Sequence, residues 1–280
     1  MRTWLFAFPA LFVAAELASA RDYNELILRE AMTMPEGGSY AAYRKDLPEA
    51  RRFDDLYEAV ASLDRSLGMD PKGRLRVKPA RAADFSFCSS ATYLLFCKVV
   101  ESLQKEGVVS SDRALSRELA RVGDKRDVIH GKLDGVGLFG HWNADGPGTA
   151  VLFERLNLGR NFSSLERAKP GDFLKIFWND AIGKGERGHL VLYLGESEDG
   201  KALQVWSSNL SNSDGSNGYG TMTVEKSRIA RALFSRLEHP ENLANWLGLS
   251  ETERTSDYLV RILRTGSSEE EMKAATGAVD

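Results

Sequence analysis

The sequence predicts a single α+β domain in which one long helix packs on a small antiparallel sheet. Three observations carry this. Apolar residues recur at helical spacing through FCSSATYLLFCKVVESL, at Ala91, Leu94, Leu95, Val99 and Leu103. From Lys169 onward the texture changes to short apolar runs separated by turns, at 172–178, 188–195 and 202–207. A chain of 280 residues that is 42% hydrophobic and 28% charged has ample material for one core and is not a disordered polymer.

Taken in order, residues 1–20 read MRTWLFAFPALFVAAELASA. A basic Arg2, an apolar stretch to Ala15 and the small-residue pattern Ala18-Ser19-Ala20 mark a secretory signal peptide cleaved after Ala20. The stretch is too short to span a bilayer, and no later run reaches the roughly 20 apolar residues a span needs. The expectation is a soluble chain, secreted or periplasmic. Residues 22–32 suit a short helix, 35–38 a turn, and 47–67 an amphipathic helix. Residues 72–83 are basic and irregular, and lead into the helix that opens near Cys88. A charged surface helix is expected at 113–122, a glycine-rich loop at 131–148 and a helix at 149–156. Glu196-Ser197-Glu198-Asp199-Gly200 suits a hairpin turn. Helix is expected again at 226–234 and 240–247, and 257–263 fits either type. The small, polar tail 266–280 reads as disordered. No repeat or linker divides 21–265, which reads as one domain.

The formal charge of −3 and a pI near 5.9 argue against nucleic acid or an anionic membrane as the main partner. No P-loop, zinc-type Cys/His spacing or HExxH occurs, so no metal or cofactor is expected. The segment from Ser211 to Gly220 has one carboxylate and lacks EF-hand spacing; it reads as a flexible rim loop. The oligomeric state is not set by any of these features.

The 2 cysteines, Cys88 and Cys97, stand nine residues apart on one expected helix. Such a separation is about 13.5 Å of rise and half a turn out of phase. A disulfide needs Cα atoms within about 7 Å, so these two do not pair. Cys97, among Leu95, Phe96 and Val99, reads as a packing residue. Cys88 opens the helix, where the dipole and free N–H groups stabilise a thiolate. Backbone N–H groups of Cys88 and Ser89 would also receive a developing oxyanion. The competing reading of Cys88 is a second core cysteine.

A nucleophilic thiol needs a base, and the base an orienting partner. Of the four histidines, His130, His141 and His239 read as surface or turn residues. His189 opens the apolar run GHLVLYLG, where a strand can hold its ring rigidly at a cleft. If a hairpin pairs this run with 202–209, then Asn209 lies opposite and can accept the His189 Nδ1–H. Alternation places Ser207 and Asn209 on one face, and Trp206 and Ser208 on the other.

KPGDFLKIFW, GHLVLYLG and LQVWSS together resemble the β-core of the NlpC/P60 family of papain-like cysteine peptidases, and FCSSATYLLF resembles that family's nucleophile helix. The similarity covers residues 85–98 and 169–210. It implies a papain-like fold with extra helices at 107–168 inserted between the cysteine and the histidine. It also implies Cys88 as nucleophile, His189 as base and Asn209 or Ser207 as the third catalytic residue. Tyr40 or Tyr43 would correspond to a tyrosine near the oxyanion. Three departures mark a divergent branch: Phe-Cys-Ser-Ser replaces the usual Asp-Cys-Ser-Gly, 201–210 has no histidine, and the inserted segment is long.

The inserted segment contributes Trp142 and Asn143 beside a glycine-rich turn, a stacking wall and a polar hook for substrate. An Ω-type loop packed by its own tryptophan is the competing reading. Trp206 is a further candidate substrate contact. The function implied is a secreted thiol hydrolase of amide bonds, acting on peptidoglycan peptides or another peptide or amide substrate. The alternatives are an amidase or acyltransferase working on lipids or small amides, and a non-catalytic binding module of the same fold.

Overall fold

The structure, a computed structural model, describes residues 21–42, 45–123 and 135–280. The signal-peptide assignment for 1–20 lies outside the described residues, as do Tyr43 and His130. Among the described residues no helix is long and apolar enough to cross a membrane.

Helix α1 (Tyr23–Ala31) starts where the Asp22 carboxylate accepts the Asn24 N–H at 2.9 Å, and it buries Tyr23, Leu26 and Ile27. Helix α2 (Asp54–Ser66) leads into a hairpin of β1 (Leu67–Met69) and β2 (Leu75–Val77). The short α3 (Pro79–Ala82) begins on a proline, whose fixed φ suits a first helical turn. Helix α4 (Cys88–Glu106) is unbroken and ends on Gly107 at φ 77°. The five apolar positions that predict it are buried, and so are Tyr93, Phe96 and Cys97. A helix covered around most of its girth belongs at the centre of a domain.

Helices α5 (Arg113–Ala120), α6 (Gly137–Asn143) and α7 (Gly148–Leu156) follow, so helices do lie between Cys88 and His189. They form part of the central core. The α6 residue Trp142 stacks on Phe96 at 4.8 Å and meets Phe173 edge-on at 5.0 Å. What the sequence suggests as a glycine-rich loop is therefore partly helix, anchored by its largest side chain.

The main sheet contains β3 (Gly159–Phe162), β4 (Phe173–Phe177), β5 (Gly188–Glu196), β6 (Ala202–Asn209), β7 (Gly218–Glu225) and β8 (Arg231–Leu237). Their order is β3-β8-β4-β5-β6-β7 with every pairing antiparallel. The α+β class holds, with α4 packed across β5 and β6.

Residues 72–83, expected to be irregular, carry β2 and α3, and three further expectations about elements are overturned. Of 226–234, only Lys226–Arg228 turns, as a 3-10 helix, and β8 enters the sheet between β3 and β4. Both its faces are covered: Phe234 packs on one, Leu233 and Leu237 elsewhere, so the alternation that marks a half-buried strand is hidden. The end of the expected rim loop is instead edge strand β7, which buries Tyr219 and Val224. The tail is folded. After α8 (Asn245–Gly248) and α9 (Asp257–Thr265), α10 (Glu269–Thr276) is capped by reciprocal Ser268 and Glu271 bonds. Its Met272 is buried, Asn161 donates to the Thr276 carbonyl at 2.7 Å, and Val279 bridges to Phe162.

The Pro-Gly-Asp that opens β4 acts structurally. Asp172 is fully buried and accepts from Arg236 Nε at 2.8 Å and Nη2 at 2.6 Å. It also accepts from Asn24 Nδ2 at 2.9 Å and the Lys169 N–H at 2.7 Å. One carboxylate thus ties α1, β4 and β8. Gly171 permits it, with φ 98° and no room for a Cβ, which would meet Asn24 Cβ at 2.7 Å.

Candidate active site

Cys88 is the first residue of α4, and four hydrogen bonds fix that helix start. Ser90 Oγ accepts the Phe87 N–H and donates to the Phe87 carbonyl, both at 2.9 Å. Ser86 Oγ donates to Ser208 Oγ on β6 at 2.7 Å. A strap around Tyr40 pairs with Ser86, the Ala41 N–H reaching the Ser86 carbonyl at 2.7 Å. The Cys88 backbone is thereby clamped to the strand that carries Asn209.

The β5–β6 ladder runs from Glu196↔Leu203 to Leu192↔Trp206, with a bulge between Tyr193 and Gly195. At its open end the helix start comes in. The Leu190 N–H lies close enough to the Cys88 thiol to stabilise its charged form, and Ser207 Oγ donates to the Leu190 carbonyl at 2.8 Å and lies 3.4 Å from the Cys88 carbonyl. His189 and Asn209 meet across the same gap, His189 Nε2 to Asn209 Oδ1 at 2.8 Å. Asn209 is thus His189's partner, and Ser207 lines the strand beside Cys88 without touching the ring.

The amide orientation of Asn209 decides the tautomer. Its Nδ2 donates to Asn212 Oδ1 at 2.7 Å and to the Gly220 carbonyl at 3.0 Å, so Oδ1 must be the atom facing His189. Asn212 is itself oriented, its Nδ2 donating to Ser216 Oγ at 2.9 Å. His189 therefore carries its proton on Nε2 when neutral, leaving the Nδ1 lone pair for the hydrogen-bonded Cys88 thiol. The sequence-based expectation that Asn209 accepts the Nδ1–H is corrected: the roles of the two ring nitrogens are exchanged.

Electrostatics follow the geometry. Burial pushes the Cys88 thiol up, but the charge and hydrogen bond of His189, the Leu190 N–H and the Lys175 ammonium outweigh it, and the thiol is lowered to about 7. Burial lowers the His189 ring's proton affinity, yet the adjacent thiolate and Asn209 raise it above the usual value overall. Both shifts favour the thiolate–imidazolium form of the pair over the thiol–imidazole form, and place the thiol's proton exchange near neutral pH. Cys97 is the opposite case: buried and free, with its thiol raised by desolvation.

Tyr40 is half-buried, its backbone N–H donates to Asn217 Oδ1, and burial followed by the Cys88 charge holds its phenol protonated. It lies within electrostatic reach of the thiol, as an oxyanion donor would. Ser89 is buried and its hydroxyl donates to Asn143 Oδ1, so Ser89 can contribute its backbone N–H while its side chain faces away into α6. Asn143 supports the helix start in this way; it is not displayed as a polar hook. Trp142 and Trp206 are corrected too. Trp142 is 1% exposed and donates from Nε1 to Thr92 Oγ1 at 3.0 Å, while Trp206 is 6% exposed and packs edge-on against Tyr219 at 5.5 Å. Both are core residues because a large ring facing α4 fills space that nothing else reaches.

His141 is also buried, with Nε2 bonded to the Arg254 carbonyl at 2.8 Å, whereas His239 is exposed beside Glu241 as expected. The sequence reading passes over three site residues: Asn212, Lys175 and Trp178. The Trp178 ring lies 6.4 Å from that of His189 at 27° to it, and Arg228 lies over Trp178 at 5.8 Å. An aromatic directly after a strand reads as a core residue, and an asparagine in a polar loop reads as solvent-facing. Neither carries a distinguishing signal.

Compared with known proteins, the chain matches no family model, no curated protein and no solved structure.

Proposed function

We propose that this chain is an exported cysteine hydrolase that cleaves amide bonds through Cys88, His189 and Asn209, in a papain-like arrangement of the NlpC/P60 kind. The observation that carries the reading is the oriented relay. Asn212 fixes the Asn209 amide, Asn209 fixes the His189 tautomer, and the remaining ring nitrogen meets a thiol at a helix start. A buried cysteine that served only packing would have no use for such an ordered chain of donors and acceptors.

The chemistry follows in two halves. His189 Nδ1 takes the Cys88 proton, and the thiolate sulfur bonds to the substrate carbonyl carbon. The oxyanion is held by N–H groups at the start of α4 and by the Tyr40 phenol. The C–N bond breaks as His189 Nδ1–H protonates the departing amine, leaving a thioester on Cys88. His189 then deprotonates a water, whose oxygen bonds to the thioester carbon. The C–S bond breaks, the acid departs, and the proton returns to the sulfur. Asn209 accepts the Nε2–H throughout and keeps the ring in line.

Peptidoglycan peptides are the proposed substrate, on the strength of the resemblance over 85–98 and 169–210. Purified sacculi incubated with wild type, Cys88→Ala and His189→Ala test it. Release of muropeptides by wild type and its loss in both variants is expected. Equal release by all three would remove the catalytic assignment. No release by wild type, with rapid iodoacetamide labelling of Cys88, would move the acyl donor to a lipid or small amide.

A further inference from the structure

Lys175 is a largely covered cation for which the hydrolytic steps above have no use. It lies on β4 opposite Leu190 of β5, so the two side chains share the face on which α4 packs. Leu190 is the residue whose N–H reaches the Cys88 sulfur. The Lys175 ammonium is fixed by Glu186 Oε1 at 2.6 Å, and Glu186 is anchored in turn by the Gly183 N–H at 2.8 Å. Side-chain exposures of 16% and 4% remove this pair from bulk water. The space for it exists because residue 188 has no side chain. A Cβ on Gly188 would meet Lys175 Nζ and Cε at 2.8 Å, and Gly188 directly precedes His189.

A pair of opposite charges this close to a dyad is felt through its nearer end, because little water lies between to screen it. The end that acts on the dyad is the positive one: the ammonium favours the Cys88 thiolate and opposes a positive charge on His189. The other charged groups around it are Glu186 in the β4–β5 turn and Asp145 between α6 and α7, while Tyr40 faces Cys88 from the strap. Neither carboxylate is among the main influences on the thiol.

We propose that Lys175, locked by Glu186 in the space Gly188 leaves open, is an electrostatic positioning residue whose fixed ammonium stabilises the Cys88 thiolate and sets the pH at which the dyad becomes reactive. The proposal rests on the hydrolase reading of Cys88 and His189. Lys175 itself neither touches substrate nor moves a proton.

The pH dependence of Cys88 alkylation by iodoacetamide, read by peptide-resolved mass spectrometry, tests this without any substrate. Lys175→Met/Glu186→Gln removes both charges at similar volume. Its acid midpoint is expected to rise by about half a pH unit or more, and the alkaline limb set by His189 to rise with it. Lys175→Arg keeps the charge and should restore the wild-type midpoint. If the first double variant does not melt cooperatively, Lys175→Gln/Glu186→Gln, whose amides can bond across the same gap, is read instead. Unchanged midpoints in a folded double variant would overturn the role of Lys175 alone. A wild-type Cys88 that alkylates as an ordinary thiol would instead overturn the dyad.

Discussion

Asn209 Oδ1 accepts the Nε2–H of His189 at 2.8 Å, and both hydrogens of the Asn209 amide are committed elsewhere, to Asn212 and Gly220. A free amide could flip and offer an N–H to the ring, which would push the proton to the nitrogen facing the thiol. The Asn212 contact makes that flip costly, because it would leave buried donors and acceptors facing their own kind. His189→Ala should therefore lower the rate by about 10²- to 10⁴-fold. Asn209→Ala and Asn212→Leu, acting through the ring, should each lower it by about 10- to 100-fold. Initial rates on one substrate check the ranking, and a loss for Ser207→Ala with none for Asn209→Ala would reverse the assignment of the third residue.

The raised proton affinity of His189 depends on its neighbour. Burial comes first among the influences and lowers it, Lys175 lowers it further, and the Cys88 charge and hydrogen bond provide the opposing increase with Asn209. Cys88→Ala removes the sulfur and leaves burial and Lys175 against Asn209 alone. The imidazole should then titrate at lower pH than in wild type, a direction that NMR of the ring protons follows. In wild type the thiolate is lost as pH falls through about 7, so rates of alkylation and hydrolysis should share an acid limb there.

Asp172 should matter to stability rather than to catalysis. It is fully buried, and Arg236 holds it with two bonds. Asp172→Ala strands a buried guanidinium and should cost about 3–5 kcal/mol by chemical denaturation. Asp172→Asn retains a carbonyl acceptor for one of those bonds and should cost less. Thiol alkylation in the folded variants should keep its pH midpoint.

What the sequence makes legible here is local order and spacing. A separation of nine positions between Cys88 and Cys97 on one helix settles that they do not pair, and a strand opened by His189 facing Asn209 follows from hairpin pairing alone. Side-chain burial is less legible. Trp142 and Asn143 sit in a glycine-rich stretch that composition describes as loop, yet Trp142 fills the gap between Phe96 and Phe173. β8 loses its alternation because both faces are covered, and Leu and Ala at helical spacing then outweigh it. Lys175 and Glu186 lie eleven residues apart, and only the β4–β5 pairing brings them together. Which ring nitrogen meets the thiol depends on Asn212, which has no local sequence signature.

The folded tail gives a test of those corrections. α10 contributes Met272 to a cluster with Leu259 and Ile262, and Asn161 donates from β3 to the Thr276 carbonyl. Met272→Ala should destabilise by about 2–5 kcal/mol, the range for a buried methionine truncated to alanine. Removal of 269–280 should lower the melting temperature at least as much, because it also unpairs Asn161 and the Val279 bridge. A truncated chain that melts with wild type would return the tail to the disordered class.

The oxyanion side is tested by separating hydroxyl from backbone. Tyr40 keeps its phenolic proton because burial and then the Cys88 charge oppose its loss, so it is still a donor where the Cys88 thiolate forms near neutral pH. Tyr40→Phe removes that donor alone, since the strap pairing of Tyr40 uses its backbone. It should lower kcat by about 10²- to 10³-fold, the scale for one donor to a developing oxyanion. Cys88 alkylation, which forms no oxyanion, should keep its rate and pH midpoint, as Tyr40 is not among the main influences on that thiol. Ser89→Ala should change kcat far less, because the Ser89 hydroxyl is spent on Asn143 and its N–H survives the substitution. Equal losses for Tyr40→Phe in kcat and in alkylation would mean that the phenol shapes the nucleophile and does not receive the oxyanion.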